Sequence, residues 1–552
     1  MAKGSPMRRK LLYGLVSVAL VLAGSACTNS KADVRSGEGS VLRIGDTGST
    51  ISTLNPFLAS NIFENAVFRY VYPYLVQYDT SGSIEGDFAT SYQSTEGGRV
   101  WTFHTHPGAT WSDHKPLTAE DAAWTFNAIL ANKDGATARF GSYLAHVQSV
   151  TTKGPNELVV TYDKPVATAL ANLSVVPILP RAVWGPYLSG DAGKLSGFTN
   201  DAPLVSGGSF ILTSEKKDAY ALFERNPSFY GPKPKLSGFG FQFFGSADAM
   251  ISAIQQGQID VAYDVPATAV STLKKDPSLH LLTNKGTDED TLIFNSSPGQ
   301  TEHPELLDPK VREAFHLAID RQKMVDVVTL GMGTPATSII PLSLQNWADP
   351  QIGAEGFHPD KASQILDQLG YTRGADGVRV ANGRPMSYDL LEPTGLTGHD
   401  RVVDLLRSDL AKIGVEIHVR VVDGDAFGHA LVTPSPKAPS YDLAVDDWIS
   451  RWDPDFMLSL NTCGQRGNYN EAAYCNSHYD ALYNQQSTSL DLAQRKQVVD
   501  EAQEALNRDK PWMPLFVNPN LIAVRKNVHG FSGSPFVVDT TSRHQIDDSW
   551  LQ

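Results

Sequence analysis

The stretch that decides the fold is Trp111-Ser-Asp-His-Lys-Pro-Leu-Thr118-Ala-Glu-Asp121. Residues 100–113 lead into it with alternating apolar and polar side chains and then a turn, as at the end of a strand. Thr118 is a favourable N-cap residue, and Asp121 three positions later completes the pattern of a capping box. Apolar residues then recur on one helical face through residues 122–130. The stretch therefore predicts a strand, a turn and a capped helix in direct succession.

Strand and helix patterns alternate along the rest of the chain. Alternating apolar residues predict strands at 41–45, 157–163, 209–214, 219–225 and 415–422. Helical periodicity with start and stop residues predicts helices at 248–256, 308–319, 360–369, 401–413 and 489–507. Such alternation is typical of an α/β protein with mixed sheets. Because 552 residues exceed what one hydrophobic core supports, two large lobes are expected.

The charge of the chain argues against nucleic acid as a partner. The formal net charge is −14, and the first 26 residues carry +4, so the rest of the chain carries −18. An acidic surface repels phosphate groups and helps to keep a secreted protein soluble. The charge does not identify a ligand, since a binding site can differ in charge from its surroundings.

The N-terminus has the pattern of a secretory signal peptide. A basic run at 8–10 precedes a mostly apolar stretch of 16 residues, which is short for a membrane span. Small residues then precede Cys27, which resembles the bacterial lipobox, although Gly24 stands where an aliphatic residue is usual. We interpret 1–26 as the signal peptide and 27–40 as a tether, lipid-anchored through Cys27 on the outer face of the bacterial cytoplasmic membrane or in the periplasm. Ordinary signal cleavage before the cysteine is the alternative.

Two further cysteines, Cys463 and Cys475, are predicted to form a disulfide. A secreted chain meets oxidising conditions, and the eleven residues between them form a small loop. Two free buried thiols are the alternative. His104 and His106 alternate on one strand face, but a pair of histidines without a third ligand does not support a metal site. We therefore expect no metal and no cofactor.

Seven short motifs, one of which is the opening stretch, occur along the chain in a recognisable order. They lie at 86–91, 111–121, 225–230, 253–262, 311–321, 441–454 and 511–515. In this order they resemble the bacterial extracellular solute-binding family 5, which includes oligopeptide-, dipeptide- and nickel-binding proteins. The resemblance covers nearly all of residues 41–540, with His114 where the family usually has glycine.

The resemblance implies a two-lobed, periplasmic-binding-protein-like α/β fold with a ligand cleft between the lobes. It places lobe I, with the extra subdomain of the family, at 41–290, lobe II at 291–515, and a return to lobe I at 516–552. Closure about a hinge would enclose the ligand. The implied function is capture of a small ligand by a monomer that delivers it to the permease subunits of an ABC importer.

One loop decides how a peptide ligand would be held. In peptide-binding relatives, an aspartate shortly after a loop tryptophan holds the peptide amine. Alignment from Trp448 puts Arg451 at that place, whereas alignment from Pro454 would put Asp453 there. Arg451 would favour a carboxylate or phosphate on the ligand. Alternatively, it pairs with Asp447 or Asp453 and contacts no ligand.

Aromatic side chains are the other candidates for ligand contact. Trp448 and Trp452 flank the same loop, and their rings could stack on sugars, aromatic groups or cations. Packing beneath the loop is the alternative for Trp448. Asn55 and Phe57 lie in a turn-rich stretch that lines the cleft in relatives. We predict short peptides as the ligand, with oligosaccharides as the alternative.

An enzyme is not expected. The sequence contains no GxSxG or HExxH motif. The aspartates at 446, 447, 453 and 455 could serve a glycosidase, but aspartates in loops and before proline are more often turn residues. A ligand-sensing receptor of the same fold, without transport, is an alternative that the sequence does not separate from an importer subunit.

Overall fold

The computed structural model describes residues 40–47, 51–59, 62–190, 192–394, 398–431, 440–536 and 541–552. These residues all fall within one compact unit, Ser36–Gln552. The predicted signal peptide, nearly all of the tether and Cys27 lie outside the described residues. Within them, no helix is both long and apolar enough to span a membrane.

The strands alternate with helices along the chain, as the sequence predicts. The strands are β1 (Val41–Asp46), β2 (Val76–Tyr78), β3 (Ile84–Gly86), β4 (Ala89–Thr95), β5 (Val100–Thr105), β6 (Val147–Thr152), β7 (Glu157–Tyr162), β8 (Phe210–Lys216), β9 (Tyr220–Arg225), β10 (Gly238–Phe243), β11 (Val261–Ala262), β12 (Leu279–Phe294), β13 (Thr334–Pro335), β14 (Val380–Ala381), β15 (Arg384–Pro385), β16 (Ser387–Pro393), β17 (Glu416–Val422), β18 (Leu443–Ile449), β19 (Trp512–Arg525), β20 (Val528–His529) and β21 (Trp550–Leu551).

The helices vary from one turn to five turns. They are α1 (Ile62–Val71), α2 (Ala119–Ala131), α3 (Ala138–Gly141), α4 (Ala169–Leu173), α5 (Arg181–Leu188), α6 (Ala247–Gln255), α7 (Ala267–Leu273), α8 (Pro309–Ala318), α9 (Arg321–Val328), α10 (Pro359–Gln368), α11 (His399–Lys412), α12 (Gly424–Leu431), α13 (Asp455–Ser459), α14 (Ser477–Thr488), α15 (Leu492–Asp509) and α16 (His544–Asp547).

The predicted capping box is confirmed at the start of α2. The Thr118 hydroxyl accepts a hydrogen bond from the backbone N–H of Glu120, and Asp121 accepts one from the backbone N–H of Thr118 at 2.9 Å. The other predicted strands and helices are also present, with ends that differ by a few residues. The helix predicted at 489–507 begins later, at Leu492, because Asp491 caps it, and the preceding helix α14 was not predicted.

In the described residues, one mixed sheet of eleven strands runs through the molecule. Its order is β17-β16-β18-β12-β19-β11-β1-β10-β9-β8, and β13 pairs with β19. A separate four-stranded sheet, β4-β5-β7-β6, packs against α2, and we call it the subdomain sheet. The predicted fold class, α/β with mixed sheets, is therefore confirmed.

The two lobes are joined by the long strands β12 and β19, which we call the hinge strands. They pair antiparallel from Leu279 opposite Arg525 to Ile293 opposite Trp512, with a break in register between Lys285 and Glu289. One end of β12 packs in the first-lobe core, and its other end packs in the second-lobe core. The predicted boundaries at 290 and 515 both fall inside the hinge strands, so the chain passes between lobes without leaving the sheet.

A buried ion pair holds the C-terminal segment against the first lobe. Both terminal nitrogens of Arg543 donate to the carboxylate of Asp87, at 2.6 and 2.8 Å. Both side chains are buried, and the Tyr230 hydroxyl also donates to Asp87. Because a buried charge is stable only when it is paired, this contact fixes the returning chain on lobe I.

Candidate ligand-binding site

A pocket of about 410 Å³ lies between the two lobes beside the hinge strands. We call it the interlobe pocket. Its lining comes from first-lobe segments 80–81 and 533–535, from hinge residues 283–285, and from second-lobe residues 343–347 and Trp452. This volume falls in the range of small-molecule sites, and both lobes contribute to its wall. A ligand held there would contact both lobes at once.

Trp452 bridges the lobes at this pocket. Its ring stacks on Tyr78 of the first lobe, with ring centroids 6.1 Å apart, and meets Phe536 edge-on at 5.2 Å. The side chain is 8% exposed, and its indole N–H has no hydrogen-bond partner in the described structure. Gly82 lies against the same ring, where a Cβ atom would collide with the indole. Of the predicted ligand residues, Trp452 is the one that the structure places on the interlobe pocket.

Arg451 also reaches the first lobe, by a contact that the sequence did not predict. Its guanidinium donates to the hydroxyl of Tyr143 and lies over the rings of Tyr143 and Phe456, 5.6 and 4.8 Å from their centroids. The predicted alternative, an ion pair with Asp447 or Asp453, is wrong in this state. This hydrogen bond uses one of the five N–H donors of the guanidinium, and the Arg451 side chain is exposed.

Asp453 is committed to a structural ion pair rather than turned toward the pocket. Arg495 of α15 donates to both of its carboxylate oxygens at 2.7 Å, in a bidentate arrangement. The Arg495 side chain is 3% exposed, so removal of Asp453 would leave a buried charge unpaired. The sequence could not show this partner, since Arg495 follows 42 residues later. In the described state, Asp453 does not act as the predicted peptide-amine ligand.

Trp448 packs beneath the loop, as the alternative interpretation expected. Its ring lies 5.8 Å from that of Trp512 and 5.9 Å from that of Phe456, and its N–H donates to Glu471 at 3.1 Å. The predicted disulfide between Cys463 and Cys475 is present and closes the loop that carries Glu471. The ring of Trp448 therefore supports the wall of the cleft from behind.

Asn55 and Phe57 lie inside the first lobe and not on the interlobe pocket. The Asn55 amide donates to the carbonyls of Leu195 and Phe198, and its oxygen accepts from the backbone N–H of Phe57. Phe57 packs edge-on against Phe140 and Trp184. The turn they form faces the core, and their predicted contact with a ligand stays a prediction.

A group of carboxylates at the hinge was missed by the sequence interpretation. Asp288 and Asp290 of β12 point to one face of the sheet. Asp447 of the neighbouring strand β18 lies directly opposite Asp290 and points to the same face. We call these three the hinge triad. Asn518 donates to both Asp288 and Asp290, and the imidazole of His399 lies 2.8 Å from Asp290. The consecutive acids at 288–290 are the visible signal of this group in the sequence.

More carboxylates lie on the opposite face of the same strands. Glu289 of β12 is 2% exposed, and its Oε2 atom has no hydrogen-bond partner. Asp446 lies near Glu471, which accepts from Trp448. Burial, together with the neighbouring charge of Asp447, raises the pKa of Asp446 to about 7. Burial likewise raises the pKa of Glu289 well above its ordinary value.

Comparison with known proteins identifies the family. The model of the family "Bacterial extracellular solute-binding proteins, family 5 Middle" matches residues 83–470, and the chain belongs to this family. It is thus a solute-binding protein rather than an enzyme, in agreement with the motif order in the sequence.

The relatives include peptide-binding proteins and share the fold. The oligopeptide-binding protein AppA of Bacillus subtilis is 26% identical over 561 residues, which cover 99% of each chain. Di/tripeptide-binding protein 2 of Pseudomonas aeruginosa is 24% identical and covers 85% of this chain and 87% of its own. The structure of B. subtilis AppA with a nonapeptide superposes with a TM-score of 0.74 at 22% identity, over 94% of this chain and 100% of AppA.

The elevated pKa of Asp446 makes the stability of the protein depend on pH. The carboxyl ionises near pH 4 in the unfolded chain but near pH 7 in the folded chain, so the folded state holds the extra proton between these values. Stability should therefore fall as pH rises through this window, by up to about 4 kcal/mol for a shift of this size. Asp446→Asn should raise the unfolding midpoint at pH 8 by a few degrees and by much less at pH 4.5.

Thermal unfolding of both proteins at the two pH values measures this effect. Asp134→Asn is the matched control, because Asp134 is exposed and the change in charge is the same. If the unfolding midpoints of Asp446→Asn and the parent protein differ by the same amount at both pH values, the proposed proton uptake by Asp446 is contradicted.

Proposed function

We propose that this protein captures short peptides outside the cytoplasmic membrane and delivers them to the permease of an ABC importer. The observation that carries the proposal is the interlobe pocket, which both lobes line and which Trp452 spans. Peptide-binding relatives that match nearly the whole chain support the choice of ligand. Closure of the lobes about the hinge strands would enclose the peptide and present a new surface to the permease.

The ligand panel that tests this proposal contains di- to hexapeptides and oligosaccharides. A ligand at about 100 times its dissociation constant adds about 2.7 kcal/mol to stability, which should raise the unfolding midpoint by a degree or more. We expect peptides to raise the midpoint of the mature protein. Trp452→Ala should weaken the best peptide about tenfold or more, because the stacking that joins the lobes at the pocket is lost.

The matched control is Trp101→Ala, which removes an indole from the subdomain sheet, away from the pocket. It should leave peptide affinity unchanged. If oligosaccharides alone raise the unfolding midpoint, the ligand is a sugar and not a peptide. Trp347 and Trp452 in the pocket wall offer two aromatic faces on which sugar rings can stack. No shift with any member of the panel would refute capture of either class.

We further propose that the protein acts as a monomer anchored through a lipid on Cys27. The support is the sequence, in which small residues precede Cys27 and a polar stretch follows it. Cys27→Ser should release the protein from the membrane into the soluble fraction, because the anchored residue is lost. Fractionation of cells that produce the two proteins measures this, and retention of the variant in the membrane would contradict lipid anchoring.

A further inference from the structure

Glu289 faces a second, smaller cavity that we call the hinge pocket. Lys285, Gly286, Glu289 and Val517 of the hinge strands line it on one side, and the loop at 334–343 lines it on the other. Its volume is about 10 Å³, which is room for one water-sized group. Lys285 and Ser343 line both this cavity and the interlobe pocket, so the two cavities adjoin.

The hinge pocket contains polar atoms without partners. The Glu289 side chain is 2% exposed, and its Oε2 atom has no hydrogen-bond partner. The hydroxyl of Thr337, also in the lining, is buried and has none either. Burying such groups without a partner costs free energy, and the cost is largest for an ionised carboxylate. Both atoms can accept a hydrogen bond from a ligand group that enters the cavity.

The hinge triad adds three carboxyl groups behind Glu289. Asp288 and Asp290, its chain neighbours, lie on the opposite face of β12 with Asp447. The imidazole of His399 is the cationic group that faces these three acids in the described structure. One oxygen of Asp288 is buried without a partner. Burial and the repulsion between these acids raise the pKa values of Asp288 and Asp447, so a cation nearby would favour the ionised forms of the carboxyls.

The size of the hinge pocket selects among cations. An ammonium group is about as large as a water molecule and donates three hydrogen bonds, whereas a guanidinium is a larger planar fork. A peptide N-terminus would bring its backbone with it, which a cavity of about 10 Å³ does not hold. A lysine side chain can instead place its ammonium group in the cavity at the end of a narrow aliphatic chain. Within the described residues, no three metal-ligating side chains converge on a metal position.

We propose that the hinge pocket binds the ammonium group of a basic side chain on the ligand, with Glu289 as the acceptor. This inference rests on the proposed function, because it takes the peptide to lie in the interlobe pocket next door. The protein would then prefer peptides that contain lysine. Lys285, which is exposed at the shared wall and forms no ion pair with Glu289, would compete weakly for the same carboxylate.

The test compares tri-lysine with tri-glutamine, which has the same length and no side-chain charge, together with spermidine as a cation that is not a peptide. Calorimetric titration of the mature protein at about 0.15 M salt screens non-specific attraction to the acidic surface. We expect tri-lysine to bind at least tenfold more tightly than tri-glutamine. Glu289→Gln should abolish this preference without changing the affinity for tri-glutamine.

Two further variants control for general surface charge and for a failure of Glu289→Gln to fold. Asp134→Asn combined with Asp376→Asn removes two exposed acids, and it should keep the preference. Lys285→Gln, at an exposed position, should strengthen tri-lysine binding several-fold, because the competing ammonium group is removed. This variant tests the cation site even if Glu289→Gln does not fold. Equal binding of tri-lysine and tri-glutamine to the parent protein would overturn the inference and leave the proposed function standing. Binding of spermidine without either peptide would support the cation site and refute peptide capture, and no binding at all would overturn both.

Discussion

The antiparallel pairing of β12 with β19 is the constraint on which the rest of the structure depends. These strands carry the sheet from one lobe core to the other, so the lobes share a continuous hydrogen-bonded element instead of two loose linkers. The register breaks between Lys285 and Glu289, where Gly286 lets the backbone of Asn518 approach closely. A break of this kind bends a strand locally, and here it lies beside both cavities.

The same strands concentrate carboxyl groups where the lobes meet. Each face of the β12–β18 pair carries carboxylates, and burial raises the pKa values of Asp288 and Glu289 well above their ordinary range. Acids directly across from each other destabilise a sheet, and a fold designed only for stability would place apolar residues there. We interpret these buried carboxyl groups as part of the binding site. The guanidinium of Arg451 does not pair with these acids but donates to the hydroxyl of Tyr143 in the first lobe.

The sequence predicted what depends on local patterns and missed what depends on distant partners. Thr118 and Asp121 form their capping box because both groups lie within one helical turn, and alternation along β1 and β17 needs no knowledge of the fold. The partner of Asp453 lies on a helix far along the chain, and Asn55 turns inward because carbonyls near residue 195 accept its amide. The motif order in the sequence drew attention to Trp452, but the packing of its ring against Tyr78 and Phe536 depends on residues far away in the sequence.

We expect the peptide to lie between the lobes, against Trp452, with the hinge strands at its side. The most direct measurement is a crystal structure of the mature protein grown with the peptide that most raises its unfolding midpoint. The account predicts continuous density for that peptide in the interlobe pocket, in contact with residues from both lobes. A well-ordered peptide bound elsewhere on the surface, with Trp452 still stacked on Tyr78 and the pocket filled only by water, would contradict it.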